Sequence, residues 1–168
     1  NVAAAKGRAV PGPLPSHEVV LSADTLVVAD GEVFGKPHDP AAAASMLRAL
    51  RGKPHLVLTG VTLRTSSQQA WGAVVSTRVQ MRAYSPAEID AYVARGEPFD
   101  KAGGYAIQDT LFRPVERIDG CFVNVVGLPL CAVAAGLAAL GTSVPTRHEG
   151  DLAPPCEYCR SDDSMVTD

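Results

Sequence analysis

The sequence predicts an α/β fold, one mixed β-sheet with helices along its flanks. Three observations carry this. Strand-like and helix-like stretches alternate along the chain. Apolar runs are joined by the pairs Asp30-Gly31 and Asp119-Gly120, a dipeptide that is among the stronger hairpin signals. The glycine fingerprint that opens a βαβ dinucleotide fold does not occur. At 168 residues, 46% hydrophobic and 20% charged, the chain is long enough for one domain with a substantial core. A net charge of -3 implies no general attraction to nucleic acid or membrane. No run is long and apolar enough to cross a bilayer, and no charged-then-apolar signal peptide opens the chain. The expectation is a cytoplasmic protein that binds neither nucleic acid nor membrane.

The elements follow in order. Residues 1–10 (NVAAAKGRAV) are Ala-rich and helix-prone, with Lys6 and Arg8 as polar marks, and Pro11, Pro13 and Pro15 end the helix. The numbering opens on Asn1 in what reads as the middle of a helix, so residues are expected to precede it. Residues 19–37 (VVLSADTLVVADGEVFGKP) then form the stretch around which the chain is organised. A valine-rich strand is interrupted by Asp24, turns at Asp30-Gly31, returns through Glu32, Val33 and Phe34, and ends on Gly35-Lys36-Pro37. An ionised carboxylate in a buried strand needs a partner, and Lys36 arrives on the returning arm. Asp24 and Lys36 therefore read either as a structural ion pair or as the two ends of a site for a metal-bound phosphate ester.

Asp39 is a suitable N-cap with Pro40 in the first helical position, and Ala43, Leu47 and Leu50 fall on one face of that helix. Gly52 suits its C-terminal stop. Residues 55–64 and 71–84 read as an antiparallel hairpin; in the second arm Val75, Thr77, Val79 and Met81 alternate with polar residues. Ser85 and Glu88 form a capping box ahead of a helix with Ile89, Tyr92 and Val93 on its apolar stripe. Residues 99–108 (FDKAGGYAIQ) form a glycine-rich loop of the kind that commonly carries function. Strand-like pieces at 115–118 and 121–126 flank Asp119-Gly120, and Pro129 starts a last Ala/Leu helix to about Leu140. The folded domain is placed at 1–141, and the polar, aperiodic stretch 142–168 reads as a disordered tail.

Four cysteines are present. Cys121 and Cys131 lie in apolar surroundings and read as buried small hydrophobes. Cys156 and Cys159 make half of a zinc site, with His148 as the only close candidate to extend it, a weak metal or redox signal. His17, His38 and His55 have no ligand spacing and read as surface or strand-edge residues, while Tyr105 and Trp71 read as core. Glu32 can assist at a metal or simply be solvated beside the turn. Asp100 and Lys101 can line a site or pair only with each other.

SADTLVV, GEVFGKP, MLRALRGKPH with the following VLTGV, DKAGGYAIQ and NVVGLPL, in that order and spacing, resemble the Maf family. The resemblance runs from about Lys6 to the last helix. It implies a fold similar to the inosine-triphosphate pyrophosphatases, an elongated mixed sheet with two lobes around a cleft. It also implies hydrolysis of nucleoside triphosphates to the monophosphate and pyrophosphate with a divalent metal, Mg²⁺ or Mn²⁺, by a protein that is often a homodimer. On that resemblance Asp24 matches the catalytic and metal-binding carboxylate, Lys36 a phosphate-contacting lysine, and Lys6 a further phosphate-site lysine. Thr25 and Gln108 match two positions linked to base choice. Gln108 resembles the branch acting on dTTP and UTP; a 7-methyl-GTP-selective paralogue typically has glutamate near there.

The residue chemistry agrees. A metal-bound triphosphate needs carboxylate oxygens and cations where charge builds on the departing pyrophosphate. An amide offers a pyrimidine edge both a donor and an acceptor. The family's opening Ser-x-Ser-Pro-Arg-Arg segment, whose side chains hold the phosphates, is not in this sequence. A nucleotide-binding regulatory protein without turnover is therefore the alternative to a pyrophosphatase active in nucleotide-pool cleaning or septum inhibition.

Overall fold

The computed structural model describes residues 2–10, 14–15, 18–67 and 69–142. His17, His148, Cys156 and Cys159 lie outside the described residues, as does the expected tail from residue 143 on. The chain carries helix α1 (Val2–Arg8), strands β1 (Val19–Ala29) and β2 (Glu32–Phe34), helix α2 (Pro40–Leu50), and strands β3 (Pro54–Thr65) and β4 (Ala70–Met81). Helix α3 (Pro86–Ala94), a 3-10 turn at Ala102–Gly104, strand β5 (Val115–Asp119) and helices α4 (Phe122–Val126) and α5 (Leu130–Ala139) follow. The strands form one open sheet in the order β2-β1-β3-β4-β5. This is the α/β class that the interleaving of elements implies.

The local signals act as their chemistry dictates. β1 and β2 pair antiparallel, with Val27 opposite Phe34 and Ala29 opposite Glu32, across the two-residue Asp30-Gly31 turn. Asp39 caps α2 by accepting from the Ala42 N–H at 2.7 Å, and Pro40 occupies the first turn. Ser85 and Glu88 form the reciprocal capping box of α3. Along β4 Val75, Thr77, Val79 and Met81 are buried, the face that alternation predicts.

The chain divides into two compact units. One comprises the stretches up to Asp24, from Thr59 to Val75, and from Gly120 on. Here Val75, Cys121 and Ala132 make a buried cluster with Trp71, Val123 and Cys131 packed on it. The other runs from Thr25 to Leu58 and from Ser76 to Asp119. Its core includes Leu47, Leu50, Val57, Val79, Met81, Ile89 and the aromatic set Tyr84, Tyr92 and Phe112. The Phe112 ring stacks on Tyr92 at 4.4 Å between centroids and lies 4.8 Å from Tyr84.

Three expectations are corrected. Residues 121–126 do not form a strand: Phe122–Val126 is a helical turn. It closes where Gly127, at φ 124, donates to the Asn124 carbonyl and Leu128 donates to the Val123 carbonyl. That Schellman closure outweighs the strand preference of valine, which a short apolar run cannot settle by itself. His55 is not a surface or strand-edge residue but lies buried on β3, 4% exposed, in the row with Val57, Thr59, Val61 and Leu63. Cys121 is fully buried, as its setting predicts, whereas Cys131 is only half-buried and is disulfide-bonded.

Candidate active site

Asp24 sits mid-strand on β1, and the ammonium of Lys6 on α1 stands 2.6 Å from its Oδ1. The carboxylate's ion pair thus comes from the opening helix rather than from Lys36, the partner that the hairpin spacing suggests. The Asp24 side chain is 22% exposed and that of Lys6 55%, so the carboxylate is sheltered while the lysine remains open to an incoming anion. The helix is docked by Ser22, whose hydroxyl donates to the Ala3 carbonyl at 2.7 Å. Arg64 also donates to the Gly7 carbonyl near the end of α1 at 3.3 Å. Among the described residues no group of three or more His, Cys, Asp or Glu side chains is arranged to hold a metal. Asp24 therefore belongs to no such group of three among the described residues. It fits a hard divalent ion that keeps its waters and arrives with phosphate oxygens, the usual habit of Mg²⁺, rather than a cation caged by protein alone.

Thr25, Lys36 and Gln108 belong to the other compact unit. Thr25 is half-buried on β1. Lys36 is exposed on the loop after β2, and the backbone on either side of it is held. The Gly35 carbonyl accepts from the Gly103 N–H at 3.0 Å, and Pro37 is buried against Gly104. Gly103 has φ 72, and a Cβ there would lie 3.1 Å from a Val27 methyl. Only glycine takes that left-handed conformation without strain while letting the loop backbone down onto β1. The glycine-rich stretch thus stands directly on the hairpin that carries Lys36.

In the same stretch Asp100 and Lys101 pair with each other at 2.6 Å, and Lys101 also donates to the Glu97 carbonyl. The hydrogen bond from Lys101, joined by the charges of Lys101 and Lys36, holds the Asp100 carboxyl below the usual range although burial opposes it. Glu32 is exposed on the short edge strand β2.

Gln108 is exposed, and its amide makes no hydrogen bond with another described residue. The backbone around it is anchored on both sides. Tyr105 is buried with its hydroxyl 2.7 Å from His55 Nε2, and the Ala106 N–H donates to the Tyr92 hydroxyl at 3.1 Å. Asp109 accepts from Arg95 at 2.6 Å and from the Leu111 and Phe112 N–H groups. Although burial opposes it, the hydrogen bonds from Arg95 and Phe112 leave the Asp109 carboxyl lowered. A fixed backbone presenting a free amide is what recognition of a base edge requires.

Three positions were not singled out from sequence, Gly7, Ser22 and Asp109, and His55 reads there only as a surface or strand-edge residue. Ser22 carries a readable signal, standing two residues before Asp24 and so on the same face of the strand. The role of His55 is hidden because 55–64 is apolar on both faces, and alternation alone does not say which row is inward.

The description Maf-like protein matches residues 1–140. A protein of Thermomicrobium roseum named dTTP/UTP pyrophosphatase is 47% identical over 148 residues, covering 88% of this chain and 67% of that protein. One of the same name in Anaeromyxobacter dehalogenans is 51% identical over 149 residues, covering 86% of this chain and 74% of its own length. A third, of Moorella thermoacetica, is 48% identical over 144 residues, covering 85% and 74%. A family match across almost all the described residues, with relatives of this identity over most of the chain, makes this protein a member of the Maf-like protein family.

Proposed function

We propose that this protein hydrolyses nucleoside triphosphates, dTTP and UTP foremost, to the monophosphate and pyrophosphate with a divalent cation. The observation that carries the reading is the Lys6 ammonium held 2.6 Å from Asp24, in a chain similar to proteins named dTTP/UTP pyrophosphatase. Asp24 accepts the proton of the attacking water as the bond between the α and β phosphates breaks. Lys6 engages one oxygen of that carboxylate and, with Lys36, stabilises negative charge on the departing pyrophosphate. A bound Mg²⁺ or Mn²⁺ supplies further neutralisation of phosphate charge, with Asp24 as its protein ligand. Thr25 and Gln108 contact the base, and a base that leaves the amide unpaired is bound less well.

Among the described residues no helix is long and apolar enough to cross a membrane, and the setting we propose is nucleotide-pool cleaning in the cytoplasm by a homodimer. The test is pyrophosphate release from a panel of nucleoside triphosphates, with Mg²⁺, with Mn²⁺ and with chelator. Release led by dTTP and UTP, lost with chelator and in Asp24→Asn, is the expected result. Unchanged release by Asp24→Asn sinks the assigned role, and nucleotide binding without turnover by the wild type replaces the enzyme with a nucleotide-binding regulator.

A further inference from the structure

Lys6 reaches Asp24 only if α1 stands where it does, and α1 has seven residues, too few to persist in water without tertiary contacts. Its seat is a short chain of hydroxyls. Ser22 Oγ donates to the Ala3 carbonyl at 2.7 Å, and Ala3 is fully buried. A serine hydroxyl has one hydrogen, so the 2.7 Å contact between Ser22 Oγ and Thr62 Oγ1 runs from Thr62 to Ser22. Gly7 completes the seat: a Cβ at that position would lie 2.7 Å from Ser22 Oγ, closer than real Cβ atoms approach. Ser22 and Asp24, two apart in a strand, share one face. The hydroxyl that seats the helix and the carboxylate that meets its lysine therefore stand in one row.

We propose that Ser22 and Thr62 are positioning residues, and that the hydrogen-bond chain from Thr62 through Ser22 to the Ala3 carbonyl sets the distance at which α1 presents Lys6 to Asp24. Gly7 is the residue that allows this approach. The proposal rests on the reading of Lys6 and Asp24 as part of the reactive site, and it separates from that reading experimentally because the position of Lys6 can be measured without turnover.

The experiment is competitive acylation of lysines on the purified, folded protein, read by mass spectrometry of each lysine-containing peptide. Loosening an exposed ion pair raises the labelling of Lys6 about threefold in Ser22→Ala and in Gly7→Ala. Lys36 and Lys53 serve as internal references whose labelling stays constant. Thr62→Val raises Lys6 labelling less, because Ser22 keeps its bond to Ala3, and Thr62→Ser, which retains the hydroxyl, stays at the wild-type value. With dTTP as substrate, kcat in Ser22→Ala falls about tenfold, as misplacement of a charged group commonly costs. Adding Ser22→Ala to Lys6→Met produces no further loss, because the serine acts through the lysine.

Lys6 labelling equal to wild type in both Ser22→Ala and Gly7→Ala overturns the proposal. If either fails to fold, the contrast of Thr62→Val with Thr62→Ser decides it by the same readout. A wild type that releases no pyrophosphate, yet whose Lys6 is freed in Ser22→Ala, refutes the proposed activity and supports the positioning role.

Discussion

Mild acid should destabilise this protein through His55. The imidazole is 4% exposed; Nε2 meets the Tyr105 hydroxyl at 2.7 Å, and Nδ1 is buried with no hydrogen-bond partner among the described residues. Burial also pushes the Tyr105 hydroxyl pKa up, so that group keeps its proton. Protonating His55 would place a hydrogen on both ring nitrogens, and Nδ1–H would have no acceptor. Desolvation accordingly lowers the His55 pKa from 6.5 to about 4. Between those values the unfolded chain binds the proton and the folded one does not. The stabilisation is therefore complete above pH 6.5 and is lost as pH falls toward 4.

At about 1.36 kcal/mol per pKa unit, the full effect is roughly 3 kcal/mol, most of it spent by about pH 4.5. The assay is urea unfolding at pH 7.5 and pH 4.5, on the wild type and on His55→Gln, which keeps a side-chain amide facing Tyr105 and cannot titrate. Contributions from the carboxylates cancel in the comparison. The wild type should lose about 2.5 kcal/mol more than the variant between the two values. Equal losses in the two proteins, within about 0.5 kcal/mol, would refute the reasoning.

Other consequences follow from particular contacts. Asp39→Ala removes the acceptor for the Ala42 N–H and should lower stability by about 1 kcal/mol in denaturant unfolding. Gly136→Ala drives a Cβ into Leu63 and the Trp71 ring, so thermal unfolding should register about 1–3 kcal/mol of overpacking. Asp109→Ala strips the anchors beside Gln108, and the KM for dTTP should rise while far-ultraviolet circular dichroism stays native. Gln108→Glu should shift the ratio of kcat/KM between dTTP and 7-methyl-GTP; an unmoved ratio would mean the amide does not read the base.

The Asp-Gly turn, the Asp39 cap, the Ser85–Glu88 capping box and the alternation of β4 were all legible in sequence, because each depends on residues within a few positions of one another. Motif order sufficed for the family, since five short patterns in register seldom coincide by accident. Tertiary structure decided what depends on residues distant in the chain. It seated α1 on Ser22, 19 positions from Ala3, and so assigned Asp24 to Lys6 rather than to Lys36. It turned an apolar row inward at β3 and buried His55 with it. It also coiled the valine-rich segment after Asp119-Gly120 into a helix closed by Gly127. Propensity and spacing are silent on these points, because desolvation and a contact across the fold act only once the chain has brought its distant parts together.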